Sequence, residues 1–301
     1  MSYTIPGSAR SMAAAPGTGR IVIASLIGTT VEFYDFYIYG TAAALVLGPV
    51  FFPAHVPQAG QLAAFLTFGI AFLARPVGAF LFGHFGDRVG RKSTLVASML
   101  VMGLATVLIG LLPGYATAGI AAPILLCLLR LGQGLGLGGE WGGAALLATE
   151  SAPPGRRAWY GMFPQLGPSI GFLLSNGLFL LLFTLLTNAQ FLAWGWRIPF
   201  LASAVLVGIG LYVRGHLPET AAFQRAAARH ERLRLPVRDV IVRQWVPLLQ
   251  GACAMVVCYA LFYISTVFAL GYGTKTGHIP RTTFLGMLCL AILGMAAATP
   301  I

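Results

Sequence analysis

Charge is what this chain lacks most. Charged side chains make up 9% of its 301 residues, and only eight of them are acidic; a soluble domain carries about 25%. So few charges cannot cover a globular surface of this size, which excludes a soluble domain and leaves lipid as the solvent for much of the chain. Cysteine is also sparse. Cys127, Cys253, Cys258 and Cys289 fall inside apolar runs and form no C-x-x-C pair, which excludes a zinc site or a disulfide framework. They read as small buried hydrophobes. The first residues lack a long apolar segment before a small-residue cleavage site, so they do not read as a signal peptide; residues 1–20 read as a disordered cytoplasmic tail.

What the chain has is apolar length. Hydrophobic residues reach 57%, with a mean hydropathy of +0.82. A spanning helix needs roughly 20 mostly apolar residues. Eight segments qualify: Ile21–Val50, Leu62–Phe82, Ser93–Leu112, Ile120–Thr149, Trp159–Thr187, Pro199–Val213, Val246–Leu270 and Thr283–Pro300. The sixth is short unless Trp194, Trp196 and Arg197 form its interfacial start, with the Trp rings at headgroup level.

The net charge is +11. The bases sit between apolar runs, and no soluble basic domain remains once those runs are removed, so nucleic acid is not an expected partner. Membrane lipid is. With the N-terminus inside, fourteen Lys and Arg fall on the cytoplasmic side; Arg197, Lys275 and Arg281 alone fall outside. That asymmetry places the N-terminus in the cytoplasm. The longest polar segment separates six spans from two. The expected layout is a tail (1–20), a six-helix bundle (21–213), a cytoplasmic linker (214–245) and the start of a second bundle (246–301). Within the linker, Ala221–Leu235 suits either a solvated helix or one lying on the inner leaflet. Six helices, a linker and further helices is the plan of a two-bundle transporter. On that repeat logic the second bundle is incomplete, with 8 of an expected 12 spans.

An ionised side chain at the bilayer centre costs about 2.5–3.5 kcal/mol on insertion scales. Five charges nonetheless interrupt the spans: Glu32, Asp35, Arg75, Arg130 and Glu140. The i, i+3 spacing of Glu32 and Asp35 puts both carboxylates on one helix face, roughly 16 and 21 Å into the membrane. The aromatics around them, Phe33, Tyr34, Phe36, Tyr37 and Tyr39, read either as packing or as a cavity wall. Arg75 lies at the depth of Glu32, within reach of an ion pair, and Pro76 beside it removes a backbone donor that would otherwise hold the helix straight. Arg130 falls near the midplane and pairs with Asp35 or with an anionic group of a substrate, for which guanidinium is suited.

Two patterns need separating from accidents of composition. Gly134-Leu-Gly136-Leu-Gly138-Gly139 satisfies G-x-G-x-x-G but lies inside a span rather than after a strand, so it is no dinucleotide site. Gly132, Gly136, Gly139 and Gly143 read instead as a smooth stripe for a neighbouring helix. Pro164 and Pro168 interrupt the fifth span, as a static kink or as a bend. The five histidines form no H-x-x-x-H or E-x-x-H pair, so a metalloenzyme is not expected.

Gly83-His84-Phe85-Gly86-Asp87-Arg88-Val89-Gly90-Arg91-Lys92 resembles the signature loop between the second and third helices of major facilitator superfamily transporters. Val31-Glu32-Phe33-Tyr34-Asp35-Phe36-Tyr37, Arg75-Pro76, Arg130 through Gln133-Gly134 and Gly138-Gly-Glu140-Trp141-Gly-Gly143 follow the same family. So do Glu150-Ser-Ala-Pro153 with Arg156-Arg157, Trp196-Arg197-Ile198-Pro199-Phe200 and Leu217-Pro218-Glu219-Thr220. Together they resemble the metabolite:proton symporter family over about residues 21–220.

The resemblance implies an all-α major facilitator fold in a bacterial-type inner membrane, monomeric when complete. It further implies import of a small organic acid or zwitterion with protons, by alternating access, with no cofactor beyond the proton gradient. Glu32, Asp35, Arg75 and Arg130 are the expected proton and substrate residues. Gly83, Asp87, Arg88, Gly90, Arg91, Lys92, Glu140, Glu150 and Arg156 are the expected cytoplasmic gate. Gly167-Pro168-Ser-Ile-Gly171 is similar to an element of antiporters, so proton antiport is the alternative; an inactive truncated membrane protein is another.

Overall fold

A computed structural model describes residues 18–52, 57–89, 91–138, 148–149, 152–153, 155–215 and 243–300. Eight long helices carry the described chain: α1 (Thr18–Ala42), α2 (Pro57–Val89), α3 (Arg91–Leu111), α4 (Ala121–Gly138), α5 (Arg157–Leu185), α6 (Arg197–Gly215), α7 (Trp245–Tyr263) and α8 (Arg281–Ala298). Two of them continue through a π-helical turn, α1 through Ala43–Leu47 and α7 through Ile264–Phe268. Among the described residues, seven helices are long and apolar enough to cross a membrane. The eighth candidate, α1, is not among the seven; Glu32 and Asp35 lower its hydropathy. Its 25 residues nonetheless span about 37 Å at 1.5 Å per residue, and it packs at the centre of the bundle against α5 and α6.

The outward faces confirm the solvent. Leu73 is 79% exposed, Val205 66% and Leu66 65%, a surface that only hydrocarbon tolerates at this density. Inside, α1 pairs with α5, α2 with α4, and α3 with α6. Two pairings rest on glycine. A side chain at Gly138 or Gly134 would strike the backbone of α2 at Arg75 or Ala71, and one at Gly167 or Gly171 would strike α1 at Thr29 or Thr30. The smooth face of α4 is therefore Gly134 and Gly138. Of the expected stripe, Gly136 faces α3 instead and Gly132 only brushes Ala105; Gly139 and Gly143 lie outside the described residues.

Other expectations are corrected. The Gly83–Lys92 stretch is helical through Val89, and α3 starts at Arg91; Gly90 lies outside the described residues. No turn-forming dipeptide interrupts residues 83–89, and α2 simply runs on. It also runs through Pro76, as α5 runs through Pro164 and Pro168. Trp196 is fully buried against Phe51 and Phe200, and Trp194 is the exposed ring. None of the cysteines is buried; Cys253 and Cys258 are exposed, because the first half of α7 faces outward. The tail to residue 17, the linker from 216 to 242 with Ala221–Leu235, and the fourth span beyond Gly138 up to residue 147 lie outside the described residues.

Gly138→Val should lower stability by about 1–3 kcal/mol through overpacking against α2, visible as a lower melting temperature of the purified chain in detergent. Gly69→Ala, where nothing lies within 4 Å, should not lower it.

Candidate functional site

The site begins with Asp35, 1% exposed on α1. The i, i+3 spacing brings Glu32 to the same side of the helix, yet the two carboxylates meet different neighbours. Asp35 sits between α3 and α6, where Ser203 donates to Oδ1 and Thr106 donates to Oδ2 at 3.0 Å. The Thr106 proton is shared with the Met102 carbonyl, also at 3.0 Å. Both carboxylate oxygens are therefore satisfied by neutral hydroxyls.

Arg130 is fully buried on α4. It donates to the carbonyls of Thr67 (3.4 Å) and Phe68 (3.0 Å) on α2 and to Gln133 Oε1 at 2.7 Å. Its guanidinium carbon lies 3.7 Å from the ring centroid of Tyr39, a cation–π contact contributing up to about 2 kcal/mol when desolvated. The Tyr39 hydroxyl is in turn held by Thr67 Oγ1 at 2.6 Å. Arg130 and Asp35 do not pair directly. Gln133 Nε2 donates to Thr106 Oγ1 at 2.7 Å, so the two charges are joined through Gln133 and Thr106.

The direction of this line is fixed. A guanidinium has no acceptor, so Gln133 must turn its oxygen toward Arg130 and its amide toward Thr106. Thr106 then accepts from Gln133, and its one proton is left for Asp35 or Met102.

Glu32 is 2% exposed, and its Oε2 has no hydrogen-bond partner among the described residues. The charges of Arg75 and Arg214 act on it, but the expected ion pair with Arg75 is not formed. Arg75 instead lies over the rings of Phe36 (4.5 Å) and Phe72 (4.7 Å). These rings belong to a cluster shared with α7: Tyr263 packs edge-on against Phe36, Phe68 and Phe72, and Phe262 against Tyr37 and Phe172. The aromatics of α1 thus divide. Tyr34 hydrogen-bonds the Pro199 carbonyl inside the bundle, whereas Phe36 and Tyr37 face α7.

Of the expected gate, Gly90, Glu140 and Glu150 lie outside the described residues. Gly83, Asp87 and Arg88 lie in the last turns of α2, and Arg91 and Lys92 open α3. Arg156 is exposed. Sequence reasoning missed Thr106, Gln133 and Ser203 as site residues, and placed Arg214 in a polar loop although it is 6% exposed, bonded to the Leu95 carbonyl at 3.1 Å. It also missed the α7 aromatics. A signal existed for these: Phe36-Tyr37-Ile38 recurs as Phe262-Tyr263-Ile264.

With this geometry in place, comparison with known proteins decides the family. The model of the family "Sugar (and other) transporter" matches residues 21–239. The chain belongs to that family. Among similar curated proteins is the inner membrane metabolite transport protein YhjE of Escherichia coli, 54% identical over 286 residues, covering 94% of this chain and 65% of that one. The shikimate transporter of Escherichia coli is 47% identical, covering 91% and 64%. A proline/betaine transporter of Salmonella typhimurium is 33% identical, covering 94% and 58%. The chain spans less than two thirds of the length of these relatives. A solved structure of the Escherichia coli xylose transporter XylE, partially occluded and inward open, superposes with TM-score 0.68 at 16% identity over 92% of this chain and 68% of its own. That likeness establishes the major facilitator fold for this multi-pass membrane protein.

Thr106→Val should leave the Gln133 amide without its acceptor and remove one donor from Asp35, costing about 1–3 kcal/mol for each buried polar group stranded. Thr106→Ser keeps the hydroxyl and should hold the melting temperature within a few degrees of the wild type.

Proposed function

We propose that this chain acts in the inner membrane as a secondary transporter, importing a small organic acid or zwitterion together with protons by alternating access. The observation that carries the reading is the enclosed line Arg130–Gln133–Thr106–Asp35. It couples a permanent cation to a carboxylate that can take up a proton. While Asp35 is ionised, the line offsets the positive charge of Arg130 at a distance. Removal from water favours the neutral form of a carboxylic acid. When a proton binds Asp35, Thr106 turns its hydroxyl to the Met102 carbonyl already within reach, and Arg130 is left with uncompensated charge. The negative charge of a substrate carboxylate held elsewhere in the same interior restores the balance. Protonation and anion binding thereby favour each other, which is the linkage symport requires.

The names of the relatives support the substrate class, and the proton:xylose symport named for a structural neighbour supports the coupling ion. The Lys and Arg asymmetry supports a cytoplasmic N-terminus. On that orientation the charges at the end of α2 and the start of α3, with Glu140, Glu150 and Arg156, form the inner gate, breaking and re-forming between two states. The carrier is taken to work as a monomer. Gly167 and Gly171, whose motif kept antiport in view, pack closely against α1 and lend antiport no separate support.

The reading is tested by reconstituting the chain in liposomes and following uptake of shikimate, proline and succinate with and without an inward proton gradient. The gradient should raise uptake of at least one of them several-fold. Asp35→Asn should abolish that response while leaving gradient-free exchange measurable. Uptake indifferent to the gradient, or wild-type coupling in Asp35→Asn, would remove the proposal.

A further inference from the structure

Two charged side chains on neighbouring helices each carry a buried polar atom with no hydrogen-bond partner among the described residues: Oε2 of Glu32 on α1 and Nε of Arg75 on α2. An acceptor and a donor left unpaired in the interior are each costly, and the two would relieve one another by meeting. They do not meet, although their charges act on each other. Both also act on the same two phenols, Tyr37 of α1 and Tyr259 of α7. These four groups therefore face one region, at the junction of α1, α2 and α7.

The aromatic surroundings fix what that region presents. Phe36 and Phe72 take the flat face of the Arg75 guanidinium and Tyr263 accepts one of its N–H groups, which leaves the unpaired Nε side of its edge for an anion lying in plane. Glu32, ionised, offers acceptors only. Asp35 is different in kind: its two oxygens already receive Ser203 and Thr106, so it has less need of a ligand donor. The unsatisfied pair matches a molecule with a carboxylate at one end and an N–H or O–H donor at the other.

We propose that Glu32 and Arg75 are a split recognition pair, Arg75 taking the substrate carboxylate and Glu32 taking a hydroxyl or ammonium hydrogen of the same molecule. The assignment rests on the transport reading and narrows it to hydroxy acids and amino acids. A second carboxylate would be repelled by Glu32, and a fully N-methylated zwitterion has no N–H to give it.

The test is binding at fixed pH to the purified chain in lipid nanodiscs, without gradient or transport. Five probes suffice: shikimate, its ring acid without hydroxyls (1-cyclohexene-1-carboxylate), L-proline, N,N-dimethylproline and succinate. Shikimate or proline should bind at least tenfold more tightly than its donor-free counterpart and than succinate. In E32Q that preference should shrink at least tenfold. Equal affinity for each acid and its donor-free analogue overturns the proposal, as does E32Q binding shikimate and proline within twofold of wild type, or a wild-type chain that binds none of the five. The analogue series uses wild-type protein alone, so it decides the matter even where E32Q does not fold. Loss of proton coupling in the uptake assay leaves the binding result intact, and a coupled carrier indifferent to donors on its ligand fails this assignment only.

Discussion

A guanidinium enclosed in a layer that cannot hydrate it is the constraint around which the bundle is organised. Moving such an ion out of water costs several kcal/mol even after relaxation. The usual remedy, an adjacent carboxylate, is not what Arg130 receives. It is held by two carbonyls of α2, the face of Tyr39 and the oxygen of Gln133. This arrangement ties α4 to α2 and, through Gln133 and Thr106, ties both to α3, α1 and α6. The close α2–α4 approach that places those carbonyls is the one Gly134 and Gly138 allow. Glycines on one face and a cation on another are thus parts of a single solution.

Keeping the opposite charges apart has a chemical consequence. A direct Arg–Asp pair in a medium of low dielectric would hold both groups in their ionised forms and would be hard to open. Two neutral side chains between them weaken that grip while preserving a directed set of hydrogen bonds. Thr106 is the element with two settings, because its single proton has two acceptors at the same distance. Ser203 keeps one oxygen of Asp35 supplied whichever setting Thr106 adopts.

Much of this was legible in the sequence, and the reason is cost. Glu32, Asp35, Arg75 and Arg130 stand out because ionised groups in apolar runs are expensive, and the helices containing them were readable from length alone. What was not legible was pairing. The spacing of Glu32 and Asp35 fixes a helix face but not the neighbours across it, so Asp35 read as one of two candidate partners for Arg130, whereas one amide and one hydroxyl intervene. Thr106 and Ser203 gave no signal, since isolated hydroxyls are common in spanning helices, where they bond back to the preceding turn. Trp196 was read from the enrichment of tryptophan at membrane interfaces, a preference that carries no information about its packing between Phe51 and Phe200. The reading of Gly83–Lys92 as a loop failed for a related reason: its charges mark the membrane boundary, but nothing in residues 83–89 breaks a helix. Arg214 was counted as a loop residue because the apolar run ends at Val213, one position before it.

The two ends of the junction between α7 and the first helices differ in how they are held. At one end Lys275 hydrogen-bonds Gln61 Oε1, while Gln61 Nε2 donates to the carbonyls of Ala43 (3.2 Å) and Ala44 (3.1 Å). Those carbonyls belong to the π-helical turn of α1, where the regular bonding pattern widens and oxygens become available to a side chain. Arg281 at the start of α8 adds a bond to Asn188 at 3.0 Å. Toward the other end α7 turns its residues outward, and no comparable polar contact to the first six helices is described there. Between the two ends lie Tyr259, Tyr263, which accepts a hydrogen bond from Arg75, and the unpaired Nε of Arg75 and Oε2 of Glu32. Asp35 is enclosed apart from them by α3 and α6. Arg130 is the element common to both regions: its bonds reach Asp35 through Gln133 and Thr106 of α3, and its charge reaches Tyr263 on α7.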